Sequence, residues 1–170
     1  MYNMSLLIKA GISPLKGFFL MTEEKNTQQI DNDNEKQMSV SRYVSREQAF
    51  IVCFERLFAD CSFDETIDNA QLARDEQIDA YAVNVAKNIE EKQEEIDKII
   101  SSFLAKNWSI SRISKVSLCL LRIAVYEILY VESVPVSAAI NEAVELAKKY
   151  SDKQDSAFIN GVLGSFSKTL

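Results

Sequence analysis

The chain has 170 residues, 47 % apolar and 26 % charged, with a net charge of −6. That is enough apolar material for one core or two small joined ones, and it excludes a chain disordered throughout. Only 4 Gly and 2 Pro occur, too few turn residues for a sandwich or barrel of short strands. No histidine is present, which removes Ser-His-Asp and Cys-His catalysis and the commonest metal ligand.

The three cysteines, Cys53, Cys61 and Cys119, show no Cys-x-x-Cys spacing. They read as reduced, partly buried thiols of a cytosolic protein, and zinc has no support. A protein that holds nucleic acid mainly by nonspecific charge is usually basic. With a net charge of −6, RNA binding here requires a local basic patch and help from a partner.

Residues 1–38 read as a disordered or spurious extension. The apolar stretch 4–21 is interrupted by Lys9, Gly11, Pro14 and Lys16, so it neither spans a membrane nor forms the continuous core of a signal peptide. The polar run after it, rich in Asn, Asp and Gln, reads as disorder, with Met21 or Met38 as the natural start.

The helical domain is expected over 39–170, in two parts, 39–106 and 107–170. Ser45 and Gln48 have capping-box spacing ahead of Ala49, Phe50, Cys53, Phe54, Leu57 and Phe58, which share one helix face. A short helix is predicted over about 65–73, then a long one over about 75–105, with a bend where Lys92 and Gln93 interrupt its apolar stripe. The charge run around Glu90, Glu91, Glu94 and Glu95 reads as a solvated surface.

From Leu118 the chain is apolar on nearly every side apart from Arg122 and Glu127, which predicts a central helix packed all round. Pro135 ends it and opens the next, whose stripe is Val136, Ala139, Ile140, Ala143, Val144 and Ala147. Glu145 sits at helical pairing distance from Lys148 and Lys149. A last helix from about Asp155 buries Phe158, Ile159, Val162, Leu163 and Phe166. Gly161 and Gly164 inside it suggest close approach of a helix or ligand.

No acid–base pair of carboxylates, Gly-rich loop or dinucleotide fingerprint stands out, so enzyme activity has no positive signal. Three features stand apart from core and surface. Arg42, Tyr43 and Arg46 combine cations with a stacking face, as in single-strand RNA binding. Arg122 interrupts the apolar central helix, where an ion-paired arginine is the plainer reading. The run from Lys153 through Asp155, Phe158 and Asn160 to Gly161 opens a helix whose free N–H groups suit phosphate, or are simply capped by Asp152 or Asp155.

The C-terminal half resembles the NusB family of bacterial transcription antitermination factors. The resemblance is carried by Leu121-Arg122-Ile123-Ala124 with Tyr126-Glu127, then Val134-Pro135-Val136. It continues through Ile140-Asn141-Glu142-Ala143-Val144-Glu145-Leu146-Ala147-Lys148 and Phe158-Ile159-Asn160-Gly161-Val162-Leu163. Asn107-Trp108 with Arg112-Ile113, and Ser45-Arg46-Glu47-Gln48-Ala49, also fit. Coverage is roughly 39–170, weakest over 61–105. The resemblance implies an all-α fold of two packed three-helix bundles and no catalysis or cofactor. It implies binding to boxA-type RNA of ribosomal RNA leader transcripts, pairing with the ribosomal protein NusE, and entry into an RNA polymerase antitermination complex. Some relatives self-associate, so a homodimer is compatible with it. It maps RNA contacts onto Arg42 and Arg46, with Tyr43 between them, onto Arg122, and onto Asp155, Phe158 and Asn160. The family's opening arginine cluster is denser than the two arginines here. NusB-like domains also precede rRNA cytosine methyltransferases, but no glycine-rich strand–turn–helix pattern for S-adenosylmethionine occurs after the helices of this chain.

Overall fold

No glycine or proline lies between Gly17 and Pro135, so nothing local stops a helix over that whole stretch except caps and tertiary packing. The computed structural model describes residues 34–170, with side chains from Arg42 onward. Among them are seven α-helices and no strand: α1 Asn34–Arg56, α2 Phe63–Arg74, α3 Ala80–Glu91, α4 Gln93–Ser102, α5 Lys115–Tyr130, α6 Val136–Tyr150 and α7 Lys153–Ser167. A short 3-10 turn, Ile110–Arg112, precedes α5. The apolar stretch 4–21 and the start expected at Met21 lie outside the described residues.

Helix α1 corrects two expectations. It takes in Asn34 to Met38, which the sequence placed in the extension, and it runs through Ser45, so Ser45 and Gln48 form no capping box. The residues ahead of Ser45 include Glu, Lys, Gln and Met, good helix formers, and no breaker stands in the way. Ser45 is buried inside the helix. Gln48 instead ties α1 to the α2–α3 turn: its Nε2 donates to Glu76 and to the Gln77 carbonyl, and its Oε1 accepts from Asp79 N–H at 2.9 Å. Phe58, expected on the buried face, is 45 % exposed because the helix ends at Arg56.

The long helix predicted over 75–105 is two shorter ones. Asp75 takes the left-handed conformation (φ 53°) as the C-cap of α2, which resets the chain direction before Ala80. The stripe interruption at Lys92 is a real break between α3 and α4. Real caps fix the other starts. Ser62 and Glu65 make a reciprocal capping box on α2. Ser114 Oγ accepts from Ser117 N–H at the start of α5, Pro135 opens α6, and Asp152 accepts from the N–H groups of Gln154 and Asp155 on α7.

Helix α5 organises the core. Every residue from Ser117 to Glu127 is buried, three full turns with no solvent face. It packs against α1, α3, α4, α6 and α7. Phe50 meets Tyr150, and Phe103 meets Phe166, so both ends of the described chain close on one apolar cluster. Cys53 and Cys119 are free and buried, and burial pushes both thiols up, Cys119 to about 12, which makes them unreactive packing groups. Glu145 pairs with Lys148 as expected, whereas Lys149 reaches across to Glu47 on α1 at 2.6 Å. A Cβ at Gly161 or Gly164 would meet nothing within 4 Å, so neither glycine marks a close helix contact.

Because α5 has no wet face, its charged groups need internal partners. Glu127 is 1 % exposed. Arg46 Nε donates to both of its oxygens, at 2.8 and 2.9 Å, and the Tyr81 hydroxyl donates to one of them. Removing either ionic partner strands the other charge. Glu127→Ala and Arg46→Ala are each expected to lower unfolding free energy by about 3–5 kcal/mol. The double variant should lose much less than the sum, because both act on one pair. Urea unfolding of the four-protein cycle measures this, and additive losses would show that the two groups act independently.

Candidate nucleic-acid interface

The residues expected to touch RNA fall into three places. Arg42 is exposed at the start of the described side chains, and its Nη1 donates to the Ser133 carbonyl at 3.4 Å, in the connection after α5. Tyr43 is half-buried beside it. Burial first, then Glu47, Glu142 and Glu145, raise its hydroxyl to about 12, so its polar end lies in negative surroundings that disfavour phosphate. Arg46 points inward to Glu127 and is 5 % exposed.

Arg122 lies elsewhere. Its Nε and Nη2 donate in parallel to the two oxygens of Asp97 on α4, at 2.8 and 2.7 Å, and the residue is 6 % exposed. That is a bidentate, charge-assisted pair that welds α4 to α5. One edge of the side chain lines a cleft shared with Cys53, Arg56, Glu90 and Gln93. In this fold neither Arg46 nor Arg122 offers a free guanidinium.

Asp155, Phe158 and Asn160 lie together on α7, at the opposite end of α5 from Arg42. Asp155 accepts from Ser114 Oγ at 3.0 Å and from Ser151, so it clamps the start of α7 to the start of α5. The capping itself belongs to Asp152. Asn160 is exposed, and Phe158 is half-buried with its ring against Trp108, centroids 5.5 Å apart and tilted by 33°. The sixteen residues of α5 set this group roughly 24 Å from the Arg42 contact. One nucleotide cannot touch both places.

Beside Phe158 lies Trp108, which the sequence reading did not count among the site residues. Trp108 stands 49 % exposed in the connection between α4 and α5. Lys106, Arg112, Lys115 and Lys153 flank it in sequence or at the starts of α5 and α7, and all four are exposed. None of the four is in an ion pair; the paired cations of the described chain are Arg46, Arg56, Arg74, Arg122, Lys148 and Lys149. Asp152 and Asp155 at the start of α7 carry the opposite charge, and both carboxylates accept hydrogen bonds from the chain. The sequence signal was partial: a tryptophan between basic residues and off any helix stripe, whose exposure only the fold reveals.

Comparison with known proteins matches this architecture over nearly its whole described length. The sequence pattern of the NusB family covers residues 43–168. The chain belongs to the NusB family. It is 42 % identical over 133 residues to a transcription antitermination protein NusB of Limosilactobacillus reuteri, covering 77 % of this chain and 96 % of that one. It is 42 % identical over 131 residues to the protein of the same name from Acetivibrio thermocellus, covering 76 % and 90 %. Among solved structures, NusB of T. maritima superposes with a TM-score of 0.65 at 29 % identity, covering 75 % of this chain and 90 % of that one. A crystal structure of antitermination factors NusB and NusE in complex with dsRNA superposes with a TM-score of 0.67 at 28 % identity, covering 76 % and 97 %. The all-α fold is therefore that of the family. No helix among the described residues is long and apolar enough to cross a membrane.

The Arg122–Asp97 pair is buried at its arginine and half-buried at its carboxylate. Arg122→Ala and Asp97→Ala should each destabilise the fold, by about 3 kcal/mol for a largely buried pair. At a temperature where both variants remain folded, RNA affinity should stay within about twofold of wild type. Thermal melting and RNA titration of the same preparations check this. A tenfold affinity loss in Arg122→Ala with stability unchanged would make Arg122 a direct contact.

Proposed function

We propose that this chain is a cytoplasmic transcription antitermination factor that binds boxA-type single-stranded RNA of ribosomal RNA leader transcripts together with NusE, and thereby joins an RNA polymerase antitermination complex. Its contribution is binding rather than catalysis. The observation that carries the reading is an exposed Trp108 backed by Phe158, with cations free of ion pairs on the same connection and helix starts, in a chain that matches the NusB family from residue 43 to 168. A related fold in complex with NusE and dsRNA supports both partners. An exposed ring favours single-stranded RNA, because a duplex keeps its bases stacked on one another.

Within this reading the RNA contacts are Arg42 at one end of α5, and Phe158 and Asn160 at the other, with the basic residues around Trp108 neutralising phosphate. Asp155 sets the register of α5 and α7. Arg46, Arg122 and the half-buried Tyr43 act by positioning the helices that present these contacts.

Acidic residues outnumber basic ones, 25 to 19, and six of the described basic residues are already in ion pairs. Charge alone therefore gives weak affinity, and the second protein supplies the rest. Fluorescence anisotropy with a labelled boxA-type RNA at fixed salt is expected to show at least tenfold tighter binding when purified NusE is present. Equal affinity with and without NusE would refute the shared site. Absence of RNA binding under both conditions would favour an adaptor that contacts protein alone.

A further inference from the structure

Three aromatic side chains stand exposed among the described residues: Phe58, Trp108 and Tyr130. Their surroundings differ. Tyr130 has Lys92 over its ring at 4.8 Å and donates its hydroxyl to Glu95, beside the acidic run Glu90, Glu91 and Glu94. Phe58 leans on Phe54, with Glu55 and Asp60 close in sequence. A polyanion is repelled at both places. Trp108 instead lies in a stretch that carries Lys106, Arg112 and Lys115 and no acidic residue.

Nor is Trp108 exposed because its segment is loosely held. The connection around it is pinned by hydrogen bonds from Trp108 N–H to the Ala105 carbonyl at 2.8 Å, from Arg112 Nη1 to the Asn107 carbonyl at 3.2 Å, and from Arg112 N–H to the Ser109 carbonyl at 3.0 Å. Ile113, 6 % exposed, anchors its far end in the core. One side of the indole is covered by Phe158. Its ring N–H meets no acceptor among the described residues. A half-covered indole on a fixed backbone is a surface that loses little conformational freedom when something stacks on it.

We infer that Trp108, backed by Phe158, is a stacking platform for an unpaired RNA base, with Lys106, Arg112, Lys115 and Lys153 holding the flanking phosphates. This deepens the RNA-binding reading proposed for the chain and rests on it. The platform explains how an acidic protein holds RNA: stacking is tolerant of sequence and needs no net positive charge, while a few local cations suffice to steer the backbone. It also gives Phe158 a definite task, that of fixing the plane of the indole.

The test uses the fact that Trp108 is the only tryptophan of the chain. Unlabelled boxA-type RNA is titrated into the full chain with NusE while indole emission is monitored, and the same titration with Trp108→Phe gives the partner's background. In parallel, anisotropy of a labelled RNA gives the affinity independently. Stacking predicts quenching of Trp108 emission that saturates with the same dissociation constant as the anisotropy curve. Trp108→Ala should weaken binding by about tenfold, and Trp108→Phe, which keeps a ring, by much less. RNA binding at full affinity with no quenching, or an unchanged affinity in Trp108→Ala, overturns the platform while leaving the RNA-binding reading intact. No binding by anisotropy overturns both. The quenching measurement on the unmutated chain decides the matter even if Trp108→Ala folds poorly.

Discussion

Glu127 sits in the middle of the molecule with almost no exposed surface, and the fold surrounds its carboxyl group with donors from two other helices. Arg46 comes from α1, Tyr81 from α3, and both close on the same carboxylate of α5. An unpaired carboxylate in that position would be intolerable, and an unpaired arginine equally so. The pair therefore fixes α1 and α3 against the one helix that touches nearly all the others. Arg122 repeats the device on another face, binding α4 through Asp97.

These two ion pairs constrain function as well as fold. A guanidinium held by a carboxylate has little positive field left for phosphate, and Arg46 and Arg122, two of the three arginines singled out by the sequence, are themselves buried and so held. Lys106, Arg112, Lys115 and Lys153, none of them in an ion pair, lie instead in the α4–α5 connection and at the starts of α5 and α7, the elements that hold the Trp108–Phe158 contact. The end that holds Tyr43 carries Glu47, Glu142 and Glu145, which raise its hydroxyl pKa along with burial. One end of α5 thus carries most of the cations proposed to meet RNA, while the other offers Arg42 beside Glu47 and Glu145, which pair with Lys149 and Lys148.

Much of this was legible in the sequence. The unbroken apolar run after Leu118 could only be a helix buried on every side, and Pro135, Asp152 and the family motifs marked out the two helices after it. The break at Lys92 showed as a gap in the stripe. What misled was local imitation. Ser45 and Gln48 have the spacing of a cap but lie inside a helix that no glycine or proline halts. Gly161 and Gly164 look like contact residues, yet they lie against open space. What was invisible was tertiary. Arg46 and Glu127 are 81 residues apart, and no periodicity reveals that they meet. The exposure of Trp108 is likewise a property of how the α4–α5 connection is pinned, not of its neighbours in sequence.

The central claim is that RNA lies chiefly on the surface around the starts of α5 and α7, with Arg42 an outlying contact and Arg46 engaged inside the fold. Photo-crosslinking of 4-thiouridine-substituted boxA-type RNA to the full chain with NusE, with the attached peptides read by mass spectrometry, tests it most directly. The account predicts crosslinks within 106–115 and 153–160. Crosslinks confined to 42–46, with none in those two segments, would contradict it.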